Sequence, residues 1–126
     1  MFYEQDWVMK QIRLLVRFVA RAVFKKDTAE YKELVEESLA GTDLLHRELT
    51  ELVKQGKVCE AENLLFENLD KTFKCHLALA LDFYERLNLL SDEELEKADF
   101  SREEIKEGLN TVLELFGMDF VKDMFN

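Results

Sequence analysis

Hydrophobic positions recur every three or four residues along nearly the whole chain, and no segment reads as a strand. The first run spans Glu4 to Phe24. At ~100° per residue, Val8, Ile12, Leu15, Val19 and Val23 form one apolar stripe. Lys10, Arg13, Arg17, Arg21 and Lys25 fall on the opposite side, and Trp7, Leu14, Phe18 and Phe24 flank or interrupt them. A helix apolar on more than one face needs cover on two sides.

The remaining runs predict further helices. Asp27 with Glu30 has capping-box spacing, and Thr28 offers a second cap, so a helix is expected over Ala29–Leu39 with Tyr31, Leu34, Val35, Ser38 and Leu39 inward. Gly41 then Thr42 read as a stop and a new N-cap, although the seven-residue spacing of Tyr31, Ser38, Leu45 and Leu52 would also suit one continuous helix. The third helix, Asp43–Gln55, presents Leu45, Leu49, Leu52 and Val53, and Gly56 closes it. The fourth, Val58–Leu69, turns Ala61, Leu64 and Leu65 inward. The fifth, Lys71–Asn88, is amphipathic, with Phe73, Leu77, Ala80, Tyr84 and Leu87 on one face. Ser91 with Glu94 and Ser101 with Glu104 are capping boxes, the first opening a short acidic helix and the second a helix to Phe116. Gly108 within it marks close packing, Gly117 ends it, and a last turn covers Asp119–Phe125.

Proline is absent and only four glycines occur in 126 residues, which favours helices joined by short connections. The expectation is one all-α domain over residues 1–126, built of antiparallel helix pairs, with about six to seven helices. Charge divides it. Residues 1–26 hold six bases and two acids, a net +4; residues 27–126 hold eleven bases and twenty-five acids, a net −14. A net charge of −10 argues against nucleic acid as the main partner. The opening residues do not form a signal peptide, and no uncharged apolar stretch is long enough to span a bilayer, so a cytoplasmic location is expected.

Candidate chemistry is sparse. His46, His76, Cys59 and Cys75 are the only soft metal ligands, and no metal-binding spacing joins them. Cys75 and His76 are adjacent and point ~100° apart on a helix. Asp43 and His46 share an i, i+3 spacing that is common by chance. The two cysteines lie out of reach of each other in a hairpin turning near Asp70, and both read as small buried apolar residues. The acid clusters sit at helix starts or on outward faces, where capping and solubility explain them. No catalytic, cofactor-binding or metal site is assigned, and the chain is read as a non-enzyme.

Residues 42–69 resemble a tetratricopeptide hairpin through "LVKQGKVCEAENLLFENL": Gly56 at the turn, Ala61 at the small position of the second helix, then Leu65 and Leu69, with Leu45 and Leu52 in the first helix. Leu49 and Asn68 stand where that family has small residues. The segments "EQDWVMKQIRLLVRFVARAVFKKD", "KVCEAENLLFENLD" and "ALDFYERLNLLSDEELEKADFSREEIKEGL" together resemble a family of small bacterial proteins, mainly Firmicute, catalogued as a domain of unknown function. These resemblances imply an all-helical, tetratricopeptide-like, right-handed superhelical bundle in the cytoplasm, and bring no activity, ligand or catalytic residue.

The basic stripe of the first helix has three readings. Its arginines can lie along their own acidic domain, their stems covering apolar surface. The helix can bury its second apolar side against another copy, with Trp7, Leu14 and Phe18 as anchors and Arg13, Arg17 and Arg21 at the rim. Or it can lie on an anionic membrane surface, which would repel the acidic remainder. The expected function is a non-enzymatic interaction domain, an adaptor or scaffold. It is expected to form a homodimer and to dock a protein or peptide partner. The alternatives are a peripheral membrane-surface protein and, behind that, a small-ligand or thiol-dependent one.

Overall fold

The computed structural model describes residues 2–35 and 40–121. Among them are seven α-helices and no strand: α1 (Phe2–Val19), α2 (Tyr31–Leu34), α3 (Ala40–Lys54), α4 (Val58–Asn68), α5 (Lys74–Asn88), α6 (Asp92–Lys97) and α7 (Arg102–Leu115). α1 runs on into a π-helical turn, Ala20–Phe24, which closes where Lys25 takes a left-handed conformation, φ 61°, and returns its N–H to the carbonyls of Ala20 and Arg21.

α5 is the spine. Every residue from Leu77 to Glu85 is buried, as are Leu87 and Asn88, and α1, α2, α3 and α7 all pack on it. The sequence pattern predicts a helix with one apolar face; enclosure by four neighbours explains why Ala78 and Leu79, outside that face, are fully buried too. α5 starts three residues later than its periodicity suggests. The Asp70 carboxylate accepts both the N–H and the hydroxyl of Thr72, at 2.9 and 2.6 Å, and holds the chain in a turn. Phe73 is therefore the residue before the helix and is largely exposed rather than inward.

α1 and α7 pack on each other as well as on α5. Ile12, Leu15 and Val19 of the expected α1 stripe are fully buried, with Val8 and Val23 half-buried at its ends. Gly108 of α7 is where Cβ has no room: the Tyr84 hydroxyl and the Glu62 carboxylate occupy the space. α3 and α4 form a hairpin whose turn needs the positive φ, 78°, of Gly56. Val58, Ala61 and Leu65 face inward from α4. Both serine capping boxes are present, at Ser91–Glu94 and Ser101–Glu104.

Three more local expectations fail. The Asp27–Glu30 capping box is not made, because Arg21 takes the Asp27 carboxylate at 2.6 Å and Arg17 its carbonyl at 2.7 Å. α2 stops at Leu34, where Val35 turns extended (φ −104°, ψ 113°), so α2 and α3 are separate, and Gly41 and Thr42 lie inside α3 rather than before it. Cys59 is exposed and Cys75 half-buried, both as free thiols. Cys59 follows the inward Val58 on α4, and one residue further round the helix points to solvent. The expected inward Ser38 and Leu39, and Met124 and Phe125, lie outside the described residues.

Candidate functional site: the α1 face and the cleft around Asp82

Among the described residues, two open surfaces carry candidate functional side chains. The first is the outer side of α1. Trp7 is 60% exposed and Leu14 43%, two helical turns apart, and Lys10 and Arg13 beside them are exposed without an ion pair among the described residues. Phe18, the third apolar flank, is half-buried and packs against the core. Arg17 reaches the buried Glu85 of α5 at 2.9 Å and also holds the Asp27 carbonyl, while Arg21 pairs with the Asp27 carboxylate at the surface. The six residues expected to form an interface thus split. Trp7, Arg13 and Leu14 stand on the outside, Arg17 and Phe18 fasten α1 to the domain, and Arg21 pairs with Asp27 at the surface.

The second surface is a cleft of about 690 Å³ between α2, α3 and α5. At its floor Asp82 is 3% exposed. A carboxylate so buried must find donors, and Asp82 has three: the Tyr31 N–H at 2.8 Å, the His46 Nε2 at 3.2 Å and the Arg86 Nε at 2.6 Å. Burial opposes its charge, but the His46, Tyr31 and Arg86 donors outweigh that and hold it below the usual carboxylate range. The His46 ring stacks on Tyr31, centroids 4.6 Å apart, and the Tyr31 hydroxyl donates to Asp43 at 2.8 Å. Burial and this bond push the Tyr31 hydroxyl pKa up. Thr50 donates to the His46 carbonyl at 2.8 Å.

The pairing of Asp43 with His46 in the sequence lands on this cleft. Asp82 and Arg86 were missed, because an acid on a helix reads as solvated until its neighbours are known. The one available signal was Asp82 lying four residues before Arg86, directly after the unbroken apolar run from Leu77 to Leu81.

A second cavity of about 390 Å³ adjoins the first along α3 and α5, sharing Thr50, Lys54 and Arg86 and ending against Val53, Leu89 and Leu90. Among the described residues no group of three or more His, Cys, Asp or Glu side chains is placed to hold a metal ion, and no helix is long and apolar enough to cross a membrane. His76 lies elsewhere, where its Nδ1 accepts the Asp70 N–H at 2.9 Å. Partial burial, then the nearby Glu104, Asp99 and Glu62, push the Cys59 thiol pKa up, which disfavours the reactive thiolate.

Residues 2–117 match a family described as a family of unknown function, DUF6483. The chain belongs to this family. No curated protein and no solved structure matches it.

Proposed function

We propose that this DUF6483 chain is a non-enzymatic protein-interaction domain that self-associates through the outer face of α1. The observation that carries this is the exposure of Trp7 and Leu14, 60% and 43%, on a helix whose other side buries Ile12, Leu15, Val16 and Val19 completely. Tryptophan is the residue type most enriched at interface centres, and leaving its large apolar ring in water is unfavourable.

The occupant is a second copy, on grounds of charge. Lys10 and Arg13 flank the apolar pair, and the neighbouring α7 carries exposed Glu103, Glu104 and Glu107. A two-fold pairing sets the basic α1 of one copy against the acidic α7 of the other, and the reverse, so both contacts form at once. The membrane-surface alternative is weaker, since Arg17 and Arg21 already serve Glu85 and Asp27. The non-enzymatic part is supported by the cleft. Its two hydroxyls, Tyr31 and Thr50, donate to Asp43 and the His46 carbonyl, and its imidazole is stacked and tied to Asp82.

Light scattering of the native chain across a concentration series tests the proposal. The expected result is a dimer that Leu14→Glu and Trp7→Ser convert to a folded monomer, with high salt weakening the native pair. A native protein that remains monomeric at the highest concentration overturns it.

A further inference from the structure

The outer face on which α1 and α7 lie side by side is ordered by charge. We propose that α7 supplies the receiving half of the interface, in a dimer whose two-fold axis runs parallel to α1 along its seam with α7. Lys10 and Arg13 of each copy then meet Glu103 and Glu107 of the other. This rests on self-association through α1 and fixes how the two copies face each other.

α1 and α7 run in the same direction. The end of α5 meets the first half of α1, where Asn88 donates to the Met9 carbonyl at 2.9 Å. The start of α5 meets the π-turn that follows α1, where the Lys74 ammonium lies 5.1 Å from the Phe24 ring centre. α1 is therefore antiparallel to α5. α7 is antiparallel to it too: Arg102 at its start reaches the Asn88 carbonyl, and Gly108 further along lies against Tyr84, one turn back on α5. A bond across the seam sets their relative height, Lys106 Nζ donating to Gln11 Oε1 at 3.0 Å.

Positions around each helix follow from ~100° per residue. Moving outward from Gln11 on α1, Trp7 comes at about 40°, Leu14 at about 60°, Lys10 at about 100° and Arg13 at about 160°. Moving outward from Lys106 on α7, Glu103 comes at about 60°, Glu114 at about 80° and Glu107 at about 100°. All of these but Gln11 and Lys106 are exposed. The shared face is thus striped: basic, then apolar up to the seam, then acidic beyond it. Asp6 is the acid on the basic flank, one turn before Lys10, and Lys106 is the base on the acidic side, held at the seam by Gln11.

A half-turn about an axis parallel to the helices lays the basic stripe on the acidic one twice and brings the apolar flanks to the centre. Such an axis preserves height, and the heights agree. Counted from the Gln11–Lys106 bond at ~1.5 Å per residue, Lys10 and Glu103 lie within about 3 Å of the same height, as do Arg13 and Glu107. An axis across the helices would instead set the basic stripe on its own copy and the glutamates on theirs, which like charge opposes.

The experiment reverses these exposed charges in the full chain and reads solution mass by light scattering. Lys10→Glu with Arg13→Glu, and separately Glu103→Lys with Glu107→Lys, should each raise the dimer dissociation constant by about tenfold or more. All four reversals in one chain should restore the dimer, which recovery of a damaged fold would not do. In a Cys59→Ser background, Lys10→Cys with Glu103→Cys should join two chains on oxidation, and Lys10→Cys alone should not. A native chain that stays monomeric removes self-association and this inference together. A native dimer that survives both reversals, that the fourfold reversal fails to restore, or that Lys10→Cys alone cross-links overturns the arrangement and leaves self-association standing.

Discussion

Asp82, in the middle of α5, caps a helix to which it does not belong: its Oδ2 accepts the N–H of Tyr31, the first residue of α2, at 2.8 Å. α2 is four residues long and has no side-chain cap of its own. A helix that short does not persist alone, so the buried carboxylate supplies what local sequence does not. The same group steadies the His46 ring and the Arg86 guanidinium. One side chain thus joins α2, α3 and α5 at the floor of the cleft.

Asp82→Asn should therefore cost about 3 kcal/mol, as loss of one partner in a buried charged network does. Urea denaturation at neutral pH measures it. The pH dependence has a definite sign. The folded-state pKa of Asp82 lies below its ordinary 3.8, so its contribution is complete above that value and is lost as pH falls through the folded one. The native protein should lose stability on acidification below about pH 4 more steeply than Asp82→Asn. Parallel acid profiles for the two would contradict the assignment.

Glu62 behaves in the opposite sense. Burial against α7 raises its pKa above 4.5, with Glu104 and Glu107 adding to the rise and the 2.7 Å bond from the Tyr84 hydroxyl opposing it. The folded state holds this proton more tightly than the unfolded one. Stability is therefore full below about pH 4.5 and falls as pH rises through the elevated value. Glu62→Gln keeps an acceptor for Tyr84 and removes the charge, so it should abolish that fall. Thermal midpoints of both proteins between pH 4 and pH 8 decide the matter: the two curves should diverge toward neutral pH, with the variant higher.

What could be read from sequence follows physical range. The capping boxes at Ser91 and Ser101, the turn at Gly56 and the tight approach at Gly108 are local or strongly steric, and each appears as expected. The Asp27 box has the same spacing and fails, because Arg21 competes for the carboxylate. The Trp7, Arg13 and Leu14 part of the α1 face was visible as apolar and basic residues at helical spacing. The cleft was not, since it depends on Asp82 meeting residues 36 and 51 positions away. Periodicity also understated α5, whose nearly complete burial is set by how many helices surround it rather than by its own pattern.

Arg102 is a buried cation that serves backbone as much as charge. It is 3% exposed; its guanidinium donates to the Asn88 and Leu90 carbonyls, each at 2.9 Å, and contacts Asp92, also at 2.9 Å. Those carbonyls lie at the end of α5, where helical partners run out. Asn88 in turn donates to the Met9 carbonyl of α1 at 2.9 Å. Arg102→Met should cost about 3 kcal/mol, because two buried carbonyls lose their donor. Arg102→Lys should recover little, since one ammonium cannot match the planar fork. Amide exchange would show the loss at the α5 C-terminus and the start of α6 before it spreads.

The two apolar flanks of α1 make contrasting predictions although they lie four residues apart. Phe18 packs against the core, so Phe18→Glu pushes a charge into an apolar contact and should destabilise the monomer by about 2 kcal/mol. Leu14 is 43% exposed and the same substitution there should leave stability within about 0.5 kcal/mol. If α1 is the dimer face, the effect of Leu14→Glu appears in the assembly instead: the solution mass halves while the monomer unfolds as before. The pair separates a structural role from an interface role on one helix. Denaturation and light scattering on the same two samples give the answer, and equal destabilisation by both substitutions would mean that the outer side of α1 is covered by its own domain.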